Sequence, residues 1–510
     1  MVSKYFNSIF IVPTKIEDKI FHMHDFLTPV LEFMREWYWA PLALIYTGVI
    51  ITILAENRNP TKTLAWILVI VFLPGVGLLF YFFFGRRFQK KRIFREKNKD
   101  EHRSFFARWQ EHRPMLEQNL AQLDAELGEL ASVYRFLYNE NISAPLMNNY
   151  VKLLINGEKK FPELFKEIKQ AKHHIHLEYY IYEEGGIGTE LLELLLLKVR
   201  EGVKVRLLVD DFGSSKLKKE RILMHEGGVD FVRFLPVRFA SISDSNYRNH
   251  RKVAIIDGDL AFIGGINISD RYINNGENRI YWRDTAVKIE GQSVFLLQFQ
   301  FWLTWHFSEG APYKLSEDYL VENIQNKGNS TVSFALSDPG SPAPYTMEAI
   351  LLAISRAKHS IQICTPYFVP TDQISTALQV AAASGIKVEL LMPRNSDSFI
   401  VHHASFSFLK PLLKRGVSVY LYEKGFMHAK TVCIDNKLAF VGTVNIDIRS
   451  FYINFEITSI IYDLKVCEEL SSQFEEDKKV SLLVNIDFWK KRSVWARGLD
   501  SVCRLLAPLL

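Results

Sequence analysis

Two histidines, two lysines and two asparagines recur at matched offsets in this chain. His250 and Lys252 open HRKVAIIDGDLAFIGGIN (250–267), and His428 and Lys430 open HAKTVCIDNKLAFVGTVN (428–445). In each run an aspartate (Asp257 or Asp435) follows the lysine by five residues, and a Gly-Gly or Gly-Thr pair leads to Asn267 or Asn445. Side chains two apart on a strand share a face, so His and Lys project together. Burying that pair is costly unless an anion meets it. A phosphate fits the chemistry. A neutral imidazole can attack phosphorus, and a protonated one can give its proton to the departing alkoxide. Lys252, Lys430, Asn267 and Asn445 supply donors for the non-bridging oxygens. Such a site calls for no metal and no cofactor, and no cluster has convincing metal-ligand spacing. The histidines of HHIH (173–176) read as structural residues at a strand's start.

An attacking imidazole needs its other nitrogen held by an acceptor, usually a carboxylate. Asp284 in YWRDTAVKIEG and Glu456 in INFEITSIIYD are the candidates, 34 and 28 residues after the histidine of their own copy. Asp257 and Asp435 lie at the far end of the strand, in the turn dipeptides Asp257-Gly258 and Asp435-Asn436, which suits a structural role in a hairpin. That hairpin returns the asparagine toward the histidine, and Gly264, Gly265 and Gly442 allow close backbone approach.

The elements that position these residues also occur twice. FKEIKQAKHHIHLEYYIY matches LLAISRAKHSIQICTPYFVP, LLLKVREGVKVRLLVD matches LQVAAASGIKVELLMP, and LMHEGGVDFVRFLP matches LKPLLKRGVSVYLYE. Each is helix, stop and strand, an alternating α/β pattern. The equivalent histidines lie 178 residues apart. The same polar residues at the same offsets, in the same order of elements, establish a duplication. The simplest arrangement packs the halves sheet to sheet about a pseudo-twofold axis, bringing both motifs into one site.

Two apolar runs precede the repeat, Trp39–Ala55 and Leu64–Phe84, and neither contains a charge. Each approximates the ~20 apolar residues that cross a bilayer as a helix, with Pro74 and Gly75 leaving room for a kink. The connection ENRNPTKT is short, so the expectation is a transmembrane hairpin. Residues 86–103 carry nine Lys/Arg against three Asp/Glu, the signature of a cytoplasmic flank facing anionic lipid. No cleavable signal peptide is evident, and the four cysteines show no CxxC spacing, which fits a reducing compartment. The net charge of +5 is mild, and no aromatic-basic surface points to nucleic acid. The C-terminal SVWARGLDSVCRLLAPLL reads equally as an amphipathic membrane-surface helix or as a core helix.

The doubled HxKxxxxD pattern closely resembles the signature of the phospholipase D superfamily. With NRNPTKTLAWILVIVFLPGVGLLFYFFFGR, RNHRK, GTVNIDIRS and NFEIT, the chain looks like its bacterial cardiolipin synthase branch from about Trp37 onward. The resemblance implies an α/β fold of two phospholipase D-like α/β/α halves in a pseudo-twofold bilobal catalytic domain, behind an N-terminal two-helix transmembrane hairpin. The expected layout is an extension (1–38), the hairpin (39–84), a basic and helical linker (85–145), half 1 (146–316), an inter-half linker (317–345) and half 2 (346–510). It further implies a cofactor-independent phosphatidyl transfer between two phosphatidylglycerol molecules, in a bacterial cell membrane with the catalytic domain on the cytoplasmic side. His250 would be the nucleophile and His428 the acid/base. The signature places Lys252, Asp257, Lys430 and Asp435 in the catalytic set. Asn267 and Asn445 join the lysines as phosphate ligands. A hydrolytic phospholipase D, or another phosphatidyltransferase of the superfamily, would use the same residues. A non-catalytic membrane scaffold is the alternative from another class, and the intact motifs argue against it.

Overall fold

The computed structural model describes residues 36–37, 39–55, 60–81, 112–217, 219–236, 246–275, 280–308 and 326–507. The chain forms two compact units, Met1–Arg86 and Arg87–Leu510. Most of the basic run 86–103 lies outside the described residues.

In the first unit, helix Trp39–Ala55 is followed by helices Pro60–Phe72 and Val76–Phe80. Ile53, Ile70 and Tyr81 form its small core, with the Trp66 and Tyr81 rings edge to face at 5.5 Å. The second apolar run is therefore not one helix. It breaks at Leu73–Gly75, where Pro74 lacks an N–H and Gly75 takes φ 81°. Among the described residues no helix is long and apolar enough to cross a membrane. The helices of the two runs pack on each other through Ile53 and Ile70, and the second run is broken.

In the second unit, half 1 contributes β1 (Leu146–Ile155), β2 (His174–Tyr179), β3 (Lys204–Asp210), β4 (Asp230–Phe234), β5 (Lys252–Ile256), β6 (Leu260–Gly264), β7 (Tyr281–Arg283) and β8 (Thr285–Glu290). Half 2 contributes β9 (Ser330–Ser337), β10 (Ser360–Cys364), β11 (Phe368–Val369), β12 (Lys387–Pro393), β13 (Ser418–Tyr422), β14 (Gly425–Met427), β15 (Thr431–Ile434), β16 (Leu438–Gly442), β17 (Ile446–Asp447), β18 (Glu456–Tyr462) and β19 (Ser481–Val484). The order β4-β3-β2-β5-β6-β8-β1 in half 1 is repeated as β13-β12-β10-β15-β16-β18-β9 in half 2. In both, three parallel strands come from helical crossovers and an antiparallel meander carries the motif.

The halves meet in two ways. Residues from β5, β6 and β8 share one buried cluster with residues from β15, β16 and β18, so the sheets do face each other. They are also joined edge to edge, through β1 paired antiparallel with β9, into one 15-stranded sheet. That strand pairing gave no sequence signal. β9 lies inside the stretch 317–345, so part of that stretch belongs to the sheet. Similarly, helices Arg113–Leu127 and Ser132–Asn139 of the stretch 85–145 bury Leu120, Leu123, Leu127, Tyr134 and Leu137 against half 2.

Candidate active site

The motif hairpins set the frame. β5 and β15 are buried along their whole length, and both turns are left-handed: φ is 51° and 77° at Asp257-Gly258, and 53° and 50° at Asp435-Asn436. The register pairs Ile256 with Leu260 and Ile434 with Leu438, so each loop has three residues, the first two with positive φ. The two aspartates are locked there. Asp257 accepts from the backbone N–H groups of Lys172, His173 and His174, and Asp435 from those of Lys358, His359 and Ser360. Each carboxylate thus ties the motif hairpin to the start of the neighbouring strand. Each bond given for these two carboxylates is to backbone N–H groups, which fits the structural role in the hairpin.

His250 and His428 precede their strands and are held by short parallel ladders between the halves. β14 pairs with β7, and the His428 N–H donates to the Arg283 carbonyl at 2.7 Å. In the equivalent place, Asn249 bridges Phe455, and the His250 N–H donates to the Phe455 carbonyl at 2.9 Å. Each ladder delivers a histidine beside the first residue after the partner segment, which is Asp284 or Glu456. Consequently His250 Nδ1 donates to Glu456 at 2.9 and 3.0 Å, and His428 Nδ1 donates to Asp284 Oδ2 at 2.6 Å. The orienting carboxylates are those read from the sequence, but each holds the histidine of the opposite half. Nδ1 engaged in this way leaves Nε2 as the free nitrogen of both rings.

The carboxylates are themselves fixed, differently in each half. Glu456 accepts from the Thr443 hydroxyl and from Asn454 Nδ2 at 3.1 Å. Asp284 accepts from the Thr285 N–H at 2.7 Å, and its own N–H donates to Asn156 at 3.0 Å. Gly265 stands where half 2 has Thr443; a Cβ there would lie 2.2 Å from Asp284 Oδ1. The glycine is needed to make room for the carboxylate.

Lys252 and Lys430 are buried, and each ammonium donates to the carbonyl of the histidine two residues before it. Its remaining donors are left for a ligand. Burial drives the Lys252 pKa well below that of a free lysine and Lys430 to about 8. Burial likewise pushes His250 down to about 4 against the pull of Glu456, with Lys252 adding to the depression. His428 falls to about 3 through burial and the nearby Lys430, against Asp284. For both carboxylates burial alone would raise the pKa. At Asp284 the charges of Lys430 and His428 outweigh it, and at Glu456 those of His250 and Lys252 do, so both are held low. The site thus gathers two buried lysines and two imidazoles in front of two carboxylates, a donor-rich surface suited to an anion.

The asparagines border this cluster. Asn267 Oδ1 accepts from the Ile181 N–H at 3.1 Å and its Nδ2 donates to the Tyr272 hydroxyl at 2.9 Å. The Asn445 amide oxygen is buried without a hydrogen-bond partner. Four aromatic residues that the motif reading missed wall the site. Tyr180 lies 4.9 Å from the His250 ring; Trp282, Phe426 and Tyr272 lie 5.4, 5.7 and 5.9 Å from that of His428. Their signal was the aromatic flank of each motif, as in YYIY and YWRD. Lys160 was also missed. It is buried, donates to the Ile266 carbonyl at 2.6 Å, and burial lowers it to about 7 against the charge of Asp284. His174 and His176 sit elsewhere in half 1, bonded to Gln298 and, for His176, Arg206.

The family described as "Cardiolipin synthase, PLD-like domain" matches residues 164–296 and 350–478, and the family "Phospholipase_D-nuclease N-terminal" matches residues 44–86. A cardiolipin synthase of Alkalihalophilus pseudofirmus is 36% identical over 94% of this chain and 95% of its own length. One from Geobacillus kaustophilus is 38% identical over 92% of each chain. The crystal structure of a phosphatidylserine synthase from Haemophilus influenzae superposes with a TM-score of 0.57 at 13% identity, covering 74% of this chain and 100% of that one. The two interlocked histidine motifs sit within the matched regions of the chain.

Proposed function

We propose, on the premise that this chain belongs to the cardiolipin synthase family of phospholipase D-like proteins, that it is a phosphatidyltransferase joining two phosphatidylglycerol molecules into cardiolipin and glycerol. The observation that carries the reading is the reciprocal pairing of His250 with Glu456 and His428 with Asp284. It supports two imidazoles aimed at one anion from opposite halves.

In the first step His250 Nε2 attacks the phosphorus of a phosphatidylglycerol. The P–N bond forms as the P–O bond to the glycerol headgroup breaks, and His428 protonates the departing alkoxide. In the second step His428, now neutral, takes the proton from a hydroxyl of a second phosphatidylglycerol. That oxygen attacks phosphorus, the P–N bond breaks, and cardiolipin leaves. The arriving phosphodiester anion offsets Lys252 and Lys430, which raises the imidazoles toward the protonated form that His428 needs. Both lysines, with Asn267 and Asn445, then face charge on the non-bridging oxygens.

The first unit serves as the membrane anchor. Its 17-residue helix measures about 26 Å at 1.5 Å per residue, short of a hydrocarbon core of about 30 Å, so the anchor is the apolar pair of runs together and not this helix as a lone span. The kinked second run re-enters beside it. The basic stretch 86–103 supports a cytoplasmic position for the catalytic unit. Anchoring raises the concentration of a two-chain lipid at the site.

The test is product analysis after incubating the purified protein with phosphatidylglycerol vesicles in EDTA. Cardiolipin as the main product is expected. Phosphatidic acid would make water the acceptor and the protein a hydrolase; no conversion would remove this lipid as the donor.

A further inference from the structure

The C-terminal helix Val494–Arg504 packs Cys503 and Leu499 on the core of half 2 yet also exposes large apolar side chains. Trp495 is 91% exposed, Leu505 79%, Val494 75% and Val502 60%, while Asp500 is 3% exposed. Trp495, Gly498, Val502 and Leu505 follow one another by three or four residues, so they form one outward stripe. The inward face is held by charge. Asp500 accepts from His403 Nδ1 at 2.7 Å, on helix Phe399–Ser407, and pairs with Arg492 at 2.5 Å. The buried Asp500 contacts, with Cys503 and Leu499 packed inward, fix the rotation of the helix and leave Trp495 and Val502 facing outward. Lys491 and Arg497 are exposed in the same segment, while Lys490 pairs with the exposed Asp487 at 3.2 Å, so the cationic rim rests on Lys491 and Arg497. Apolar centre and cationic rim together match a surface of anionic lipid rather than a core or an acidic protein.

The patch is connected to the site. Helix Phe399–Ser407 begins with Phe399 and Ile400, 64% and 40% exposed. Two residues earlier, Asp397 accepts from the Tyr367 hydroxyl at 2.8 Å. Tyr367 packs on Phe426, and Phe426 on His428.

We propose that the outer face of helix Val494–Arg504, with the start of helix Phe399–Ser407, docks into the headgroup region of an anionic phospholipid bilayer and holds the mouth of the site against that surface. The inference rests on the reading that the substrate is a bilayer phospholipid. It assigns to the catalytic unit a lipid contact of its own, in addition to the hairpin.

The experiment uses the full chain in phosphatidylglycerol vesicles, with a nitroxide on Trp495→Cys; the four native cysteines are buried. Leu197→Cys, an exposed position on helix Gly186–Arg200 of half 1, is the reference. The label at 495 is expected to relax with oxygen and to collide with a water-soluble nickel complex about fivefold less than the reference. Trp495→Glu with Leu505→Glu is expected to lower turnover on vesicles about tenfold while turnover of monomeric short-chain phosphatidylglycerol stays within about twofold. Equal nickel access at the two positions, or equal loss on both substrates, overturns the proposal. Dipolar broadening between labels, reporting a second copy on the patch, overturns it too. A buried label in a protein that makes no cardiolipin would sink the activity instead and leave the docking face standing.

Discussion

The two halves present the same chemistry and support it differently. Behind His250, half 1 buries Glu178, Asn249 and Arg251, with Asn249 donating to Glu178 at 2.6 Å and Arg251 lying 3.6 Å from it. At the matching places half 2 has Cys364, Met427 and Ala429, part of a compact apolar cluster. In front, the contrast is reversed: His428 faces Trp282, Phe426 and Tyr272, whereas the carboxylate of His250 gathers two extra side-chain donors, Thr443 and Asn454. Because each histidine is oriented by the other half, neither half carries a complete catalytic unit. The difference suits a division of labour, with a firmly held imidazole that bonds phosphorus and a more enclosed one that moves a proton.

Breaking the cross-half pairing should have the largest effect. Asp284→Asn or Glu456→Gln is expected to lower kcat by about 10³-fold through loss of tautomer and orientation. Asp284→Asn should change the reactivity of His428 toward diethyl pyrocarbonate, read by peptide mass, and leave His250 unchanged. The opposite pattern would restore pairing within each half.

Making the halves alike at the Gly-Gly and Gly-Thr positions should come next. Gly265→Thr forces atoms onto Asp284 and should cost about 10²-fold in kcat. Thr443→Gly removes a single hydrogen bond to Glu456 and should cost about fivefold, near 1 kcal/mol. Vesicle assays of the two variants side by side test the order.

The support behind His250 can be probed by denaturant unfolding. Arg251→Ala strands Glu178 and should destabilise by about 3 kcal/mol. Arg251→Ala combined with Glu178→Cys, which copies half 2, should recover much of that loss. A double variant worse than the single one would mean the network stabilises as a whole.

The smallest effect concerns acid stability. Burial holds His174 at about 4 and His176 well below its usual value, whereas half 2 has Ser360 and Gln362 there. A histidine that stays neutral when folded is protonated first in the unfolded chain. Its contribution is therefore complete above about pH 6.5 and is lost as pH falls toward the folded value. His174→Ser with His176→Gln should flatten the fall in Tm over that window, a change of slope with little effect on Tm above it.

Much of this was legible in the chain. The duplication, the motif hairpins and the identity of Asp284 and Glu456 followed from residue type and offset. Which carboxylate holds which histidine did not, because the ladders of β7 with β14 and of Asn249 with Phe455 join segments over 140 residues apart in the chain. The β1–β9 edge pairing escaped for the same reason: neither strand belongs to the repeated motif runs. Asp257 and Asp435 carried two readings, and their backbone acceptor bonds fit the turn. The second apolar run looked continuous by composition, while its break depends on backbone geometry at Pro74 and Gly75.

The central claim is one composite site with distinct roles for its two histidines. Its most direct test is acid quenching of the wild-type protein during turnover of phosphatidylglycerol, followed by peptide mapping for a phosphatidyl adduct. The account predicts an adduct on the peptide carrying His250 alone. An adduct on His428, or on both histidines, would contradict it.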